Sequence, residues 1–396
     1  MKIKSLLLGS AAALVAFSGA RAADAIIAAE PEPVEYVRVC DAFGTGYFYI
    51  PGTETCLRIH GYVRFDVNGG DLLGVTSADG EDTYGILSRF TFRTSTASET
   101  ELGTLRTYTE VRFNHGTNDE ANQFFDAGAD PTIVNGPNGY DNENAFSLNF
   151  AWIQLGGLRV GKDESYFTTF TGYGGSVIND TLSGGYGPFG TNLISYTYNS
   201  GAFSAGISLE QGVDNYWTDE NLGGVYDTYH GWGIDDYMPH VVVGLGYNAG
   251  MFSVRAVGAY DTRDDTINPQ TLAVVPLGGW AGKIRADVNF NDSASVFAML
   301  MYGENESAYT KWRTGLATDE TFSVVAGGSF RFSEKATFNL QGQWAEGNGG
   351  DDPWSLVGNV AYSLVPGLTI TPELAYLSRA DGSDDFGGTF RIQRDF

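Results

Sequence analysis

The chain has 396 residues, 48 acidic against 23 basic side chains, a formal charge of -25, and 53 glycines with 22 tyrosines and 25 phenylalanines. That sign of charge argues against nucleic acid or an anionic membrane surface as a partner. Glycine at about twice ordinary usage, with many aromatics, suits close-packed strands better than helices. After residue 22 no apolar run reaches the roughly 18 to 20 residues that a membrane-spanning helix needs.

Residues 1–22 read as a signal peptide: Lys2 and Lys4, an apolar run over 6–17, then Ala20-Arg21-Ala22 as the cleavage site. Its removal takes away Lys2, Lys4 and Arg21 and no acid, so the formal charge moves from -25 to -28. The exported chain is then either soluble or crosses a membrane as strands. Residues 23–56 form an acidic, proline-punctuated leader followed by a turn-rich aromatic flap. Cys40 and Cys56 are the two cysteines of the chain, and export with an even count makes a disulfide between them the default reading.

Residues 57–396 read as a barrel of sixteen antiparallel, up-and-down strands. In the first, 57–67, Leu57, Ile59, Val63, Phe65 and Val67 alternate with Arg58, His60, Tyr62, Arg64 and Asp66. The following strands are read at 84–96, 105–113, 145–155, 158–161, 192–198, 203–210, 241–247, 252–260, 280–290, 296–302, 322–332, 336–344, 354–364 and 368–377. The last, 387–396, puts Phe390, Ile392 and the terminal Phe396 on one face and Thr389, Arg391, Gln393 and Asp395 on the other. An open terminal edge invites aggregation, and pairing it with 57–67 closes the sheet. Short turns such as Gly156-Gly157 and Ser200-Gly201 alternate with long acidic loops such as 114–144, 162–191 and 211–239. That asymmetry, with aromatics such as Tyr260, Trp280, Phe290, Tyr302, Trp344, Trp354 and Tyr362 near strand ends, belongs to a transmembrane barrel. The polar faces line water in this reading.

Residues 156–162 have the spacing of a phosphate loop, but Asp163 stands where Ser or Thr must hold magnesium. Residues 185–190 match a dinucleotide fingerprint but precede a strand rather than a helix. His60, His115, His230 and His240 have no metal-ligand spacing, and ordinary solvated histidines are the expectation. Neither catalysis nor a cofactor or metal is indicated.

One constellation remains. Arg58, Arg64, Arg89, Arg93, Arg106 and Arg112 lie on the polar faces of the first three strands, which neighbour one another. The third long loop, 162–191, carries Asp163, Glu164 and Asp180 among many glycines. Folded inward, it would oppose its acids to the arginine wall and set a pore constriction. The loops 114–144 and 211–239 each hold six acids and no Lys or Arg, so divalent ions are expected between them and lipopolysaccharide phosphates.

The run 34–64 with its two cysteines, the preceding signal peptide and the terminal Phe396 closely resembles the general porins of alphaproteobacteria, Brucella-type and rhizobial. The resemblance extends along the chain. It implies a sixteen-stranded homotrimeric barrel in the Gram-negative outer membrane, assembly through the last strand, and an inward third loop. The Pro-Glu-Phe-Gly-Gly run of enteric porins is missing from this loop, so their eyelet shape does not carry over. The function expected is general diffusion of small hydrophilic solutes and ions. Its rivals are a substrate-selective channel, for which Tyr62 and Tyr108 are too few to make an aromatic slide, and an adhesin or structural barrel.

Overall fold

Period-two alternation becomes, in the computed structural model, a closed antiparallel barrel. Described are residues 38–396 apart from 77–80, 118–141, 214–216, 220–224, 228–231, 268–271, 273, 305–306, 311–319 and 348–350. The wall strands are β1 (Cys56–Gly69), β2 (Gly85–Thr100), β3 (Gly103–Thr117), β4 (Asn142–Leu155), β5 (Leu158–Glu164), β6 (Gly190–Ser200), β7 (Phe203–Glu210) and β8 (His240–Asn248). They continue as β9 (Phe252–Asp261), β10 (Gly279–Asn291), β11 (Ala294–Glu304), β12 (Glu320–Arg331), β13 (Ala336–Ala345), β14 (Trp354–Val365), β15 (Leu368–Ser378) and β16 (Asp384–Asp395). Each pairs with its sequence neighbours, and β16 returns to β1 with Phe65 opposite Ile392 and Asp66 opposite Arg391.

The seam is finished by the last residue. Phe396 and Gly61 exchange both backbone hydrogen bonds, at 3.0 and 3.1 Å. A side chain at Gly61 would have its Cβ 2.0 Å from the Thr91 carbonyl oxygen and 3.2 Å from the Phe396 ring, so closure requires glycine there. Below it, the Cys40–Cys56 disulfide holds the flap, whose strand Phe48–Tyr49 pairs with the start of β1. The tight turns at Gly156 and Gly201 need φ values of +56° and +60°, which glycine adopts without strain.

Lipid-facing positions are apolar and exposed, as at Val63, Ile194, Leu245 and Leu374. Tyr260, Trp280, Tyr302, Phe322, Trp344 and Trp354 follow one another across β9 to β14 as one girdle, and Phe290, Phe330, Phe338 and Tyr362 form part of a second at the short-turn end. A barrel in lipid has such belts at both interfaces.

Two features depart from simple alternation. In β4 an extra residue, Asn149, bulges between Leu148 opposite Val111 and Phe150 opposite Glu110. Because a one-residue insertion exchanges the faces, Phe146 and Leu148 point to lipid while Phe150, Trp152 and Gln154 turn to the lumen. The second departure is the lumen face of β8 to β12, which is apolar at Val242, Val257, Phe297, Met299, Met301 and Val325. The reading that polar faces line water throughout does not hold here, because this patch is covered from inside.

The cover is the segment 165–189. The wall pairing of β5 and β6 runs to Glu164 opposite Gly190, so the third loop leaves the wall at Ser165 rather than at Lys162, as the sequence suggested. It opens with the helix α1 (Tyr166–Thr169), capped by Ser165. Phe167 and Tyr186 join Trp232, Tyr309 and the apolar patch in one core inside the barrel. Each large side chain buried there contributes about 1.5–3 kcal/mol.

Candidate functional site

The inward loop is anchored along one side of the lumen. The Glu210 carboxylate accepts from the Ser165 hydroxyl at 2.8 Å, the Tyr166 backbone N–H at 2.7 Å and the Tyr309 hydroxyl at 2.9 Å. An acid is the right partner for α1, whose first N–H groups lack helical acceptors. Lys283, buried under the loop, donates to the Tyr186 carbonyl at 2.6 Å and lies over the Phe167 ring. Farther along, Gly175 N–H reaches Gln341, Asn179 reaches Glu373 and Thr389, and Ser183 meets Ser355. Gln341 and Gln343 return bonds to the Asp180 and Gly184 carbonyls. The loop is thus fastened from β7 round to β16.

The lumen face of β1 to β3 carries the arginines, with Arg64 and Arg89 buried in it and Arg93 and Arg112 more open to water. Arg64 and Arg89 stand directly opposite each other across β1 and β2, with Asn114 accepting from Arg89 at 2.7 Å. Glu110 binds both Arg93 and Arg112 at 2.7 Å, and Asp66 binds Arg64 at 3.0 Å and Arg391 at 2.7 Å. Five guanidinium groups are therefore interleaved with two carboxylates and keep a surplus of positive charge. Arg58 and Arg106 lie apart, toward the short turns: Arg58 beside Gly46 of the flap, and Arg106 paired in the ladder with Ala97 and Gln154. Sequence reasoning missed Asp66, Glu110 and Arg391 as members of this network. The signal for them was their inward parity on adjacent strands.

The three acids of the third loop are separated. Asp163, on β5, pairs with Arg159 at 2.6 Å. Glu164 ends the strand, accepts from the Tyr173 hydroxyl, and lies within electrostatic range of Arg112 and Glu110 on β3, two strands away. Asp180 sits on the anchored side, where it accepts from the Tyr186 hydroxyl at 2.8 Å and burial pushes its carboxyl up to about 6.

The inverted end of β4 gives the lumen an aromatic group. Tyr108 has Trp152 at 5.5 Å, Phe150 at 5.6 Å and His60 at 6.3 Å between ring centroids, and the Arg159 guanidinium lies 4.1 Å over Trp152. Counting Tyr62 and Tyr108 alone was an underestimate, because the bulge is invisible in a period of two.

His60 faces the lumen, 3.3 Å from Ser95. His240 is not a solvated histidine: it is fully buried, 2.7 Å from the Trp232 carbonyl and 3.4 Å from Asp261, beneath loop residues folded over it. Among the described residues no group of three or more His, Cys, Asp or Glu side chains is arranged to hold a metal ion. The rim loops read as divalent-ion sites, 114–144 and 211–239, lie largely outside the described residues.

The geometry has relatives. A family model described as a porin subfamily matches residues 24–390. The porin Omp2b of Brucella neotomae is 47% identical and that of Brucella suis 46%, each over 407 aligned positions covering 100% of both chains. Among solved structures, the outer membrane channel DcaP of Acinetobacter baumannii superposes with a TM-score of 0.62 at 15% identity, over 88% of this chain and 99% of that one. Salmonella typhi OmpF gives 0.55 at 14% identity, over 87% and 98%. A closed sixteen-strand barrel with an inward loop, matched by the family over nearly its whole length, makes this chain a member of the porin subfamily, a general diffusion channel of the Gram-negative outer membrane.

Proposed function

We propose that small hydrophilic solutes and ions pass between the arginine wall and the loop edge bearing Glu164 and Tyr173, and that this gap is the pore constriction. The observation carrying this reading is the one-sided anchoring of the third loop, bonded from Glu210 round to Thr389, while Arg93 and Arg112 are held by Glu110 of their own wall. Opposed charge across narrow water bounded by low-dielectric walls makes a transverse field. Polar solutes align in it, and apolar ones must displace oriented water. Of the acids expected at the constriction, Glu164 is the one we assign that role; Asp163 is tied to Arg159, and Asp180 accepts from Tyr186 on the anchored side.

Selectivity has two ranges. The acidic vestibule of a chain with formal charge -25 collects cations, whereas the constriction wall carries surplus arginine. The cation preference fades as the Debye length falls from about 10 Å at 0.1 M salt to about 3 Å at 1 M. Zero-current potentials in potassium chloride gradients test this: cation preference at low salt that weakens at high salt supports the reading, and anion preference at low salt contradicts it.

The same reading includes a homotrimer. Phe90 stacks on Phe396 and Phe113, and Phe113 meets Phe146 at a tilt, so the lipid face of β1 to β4 is a continuous apolar surface ready for a neighbour. Three copies closing a ring would bury it. A monomeric mass in mild detergent would exclude this. At the rim, divalent ions bridge the acidic loops to lipopolysaccharide phosphates, and chelation lowers trimer melting in native envelopes.

A further inference from the structure

Below the third loop, on the side of the short turns, the lumen wall contains a recess of about 430 Å³. Its roof is Tyr166 and Phe170 of the loop, with ring centroids 5.1 Å apart. Glycines make room for that roof: a Cβ at Gly206 would lie 1.8 Å from the Tyr166 hydroxyl oxygen, and one at Gly244 would lie 2.6 Å from the Phe170 ring. The floor is a row of hydroxyl and amide groups from β6 and β7, namely Ser195, Thr197, Asn199 and Ser204.

The two ends of the recess are guanidinium groups with different partners. Arg159 is fixed by Asp163 at 2.6 Å and by Gln154. Arg255, on β9, makes no hydrogen bond or ion pair among the described residues. Its ladder neighbour is Arg285, which alone of the two holds Asp287, at 2.7 Å, so two adjacent arginines stand against one acid and stay positive. A lumen-facing guanidinium without an acid, at the end of a hydroxyl-lined recess, is a receptor for an anion. The volume falls within the range of small-molecule sites and far exceeds a bare inorganic ion. Its hydroxyl and amide floor matches a polyhydroxylated ligand, and aromatic faces above suit the C–H surface of a sugar ring.

We propose that this recess is a subsite for sugar acids, with the carboxylate on Arg255, the hydroxyls on Ser204, Asn199 and Ser195, and the ring under Tyr166 and Phe170. It rests on the channel reading and adds to it: an acidic porin that repels anions at its mouth retains one class of them on its periplasmic side.

Single-channel recording at 0.1 M salt tests the subsite, with glucuronate, glucose or acetate added on the short-turn side. Steady open conductance establishes the channel independently of the outcome for the subsite. Glucuronate should cause brief partial closures, and glucose and acetate should need about tenfold higher concentration for the same effect, the equivalent of one charge-assisted hydrogen bond. Arg255→Gln should weaken the glucuronate effect about tenfold, with heat-modifiable migration on a gel reporting that the variant barrel folds. Asn199→Ala serves as the second variant and should weaken it by a smaller factor. Open channels without glucuronate closures overturn the proposal, as does acetate matching glucuronate, which is binding by a nonspecific anion site. Folded variants that respond as the parent does overturn it as well.

Discussion

Two stretches of the same lumen wall, β1 to β4 and β8 to β13, start from one rule of alternation and end with opposite tasks. The first keeps Arg93 and Arg112 beside water, held by Glu110, with Arg64 and Arg89 buried behind them on Asp66 and Asn114. The second buries Val242, Phe297, Met299 and Lys283 beneath the third loop and spends Gln341 and Gln343 on its backbone. Removing an inward side chain on the second wall loosens the loop, whereas removing one on the first changes which ions pass. A pore therefore needs both: a wall that grips its plug and a wall that the plug never touches.

The comparison breaks most severely at Glu210. Glu210→Ala strands the Ser165 hydroxyl, the Tyr166 N–H and the Tyr309 hydroxyl in a buried site. At about 1–3 kcal/mol for each buried group left without a partner, the loop root should detach. Thermal unfolding in detergent should fall by many degrees, and single channels should flicker between conductance levels. Phe297→Ala, on the covered wall, where the ring packs in the core under the Arg285 guanidinium, should cost about 3–5 kcal/mol and give the same flicker with a smaller loss of thermal stability.

On the free wall the effect is on ions rather than stability. Arg112→Gln leaves Glu110 with Arg93 as its remaining ion-pair partner among the described residues and removes one positive charge from the constriction. The zero-current potential should move toward cations, with melting changed little. Equal shifts from a substitution at Lys283 would erase the distinction between the walls.

Asp180 gives the smallest effect. Its carboxyl, raised by burial from 3.8 to about 6, holds a proton that the unfolded chain releases at a lower pH. Its contribution to stability is therefore fully present below about pH 4, declines as pH rises through that window, and is lost above about 6. Asp180→Asn should remove this part of the pH dependence, so that melting at pH 7.5 approaches the parent value at pH 4.5. A variant whose melting follows pH as the parent's does would show that Asp180 is not titrating against the wall.

The strands and their closure were legible because lipid on one side and water on the other force a period of two, as in Val63, Phe65 and Val67 against Arg64 and Asp66. The covered wall was legible in principle: Val241-Val242-Val243 and Met299-Leu300-Met301 are apolar on both faces, the mark of a strand buried on both. The inversion of Phe150 and Trp152 was not, since Asn149 resembles any other polar strand residue until its partner is known. Nor was the split among the loop acids. Asp163 and Glu164 are adjacent in sequence and diverge because β5 continues three residues farther, one side chain turning to Arg159 and the next to the Tyr173 hydroxyl.

The account rests on solutes running along the arginine wall and not along the packed one. Cys40 and Cys56 are joined, and no other cysteine is present, so an introduced thiol reports without background. Arg112→Cys and Met299→Cys channels should be exposed to a small charged thiosulfonate reagent while current is recorded. The account predicts rapid modification and a stepwise fall in current for Arg112→Cys, and no reaction for Met299→Cys beneath the loop. Equal reaction at both positions, or modification of Arg112→Cys with no change in current, would contradict it.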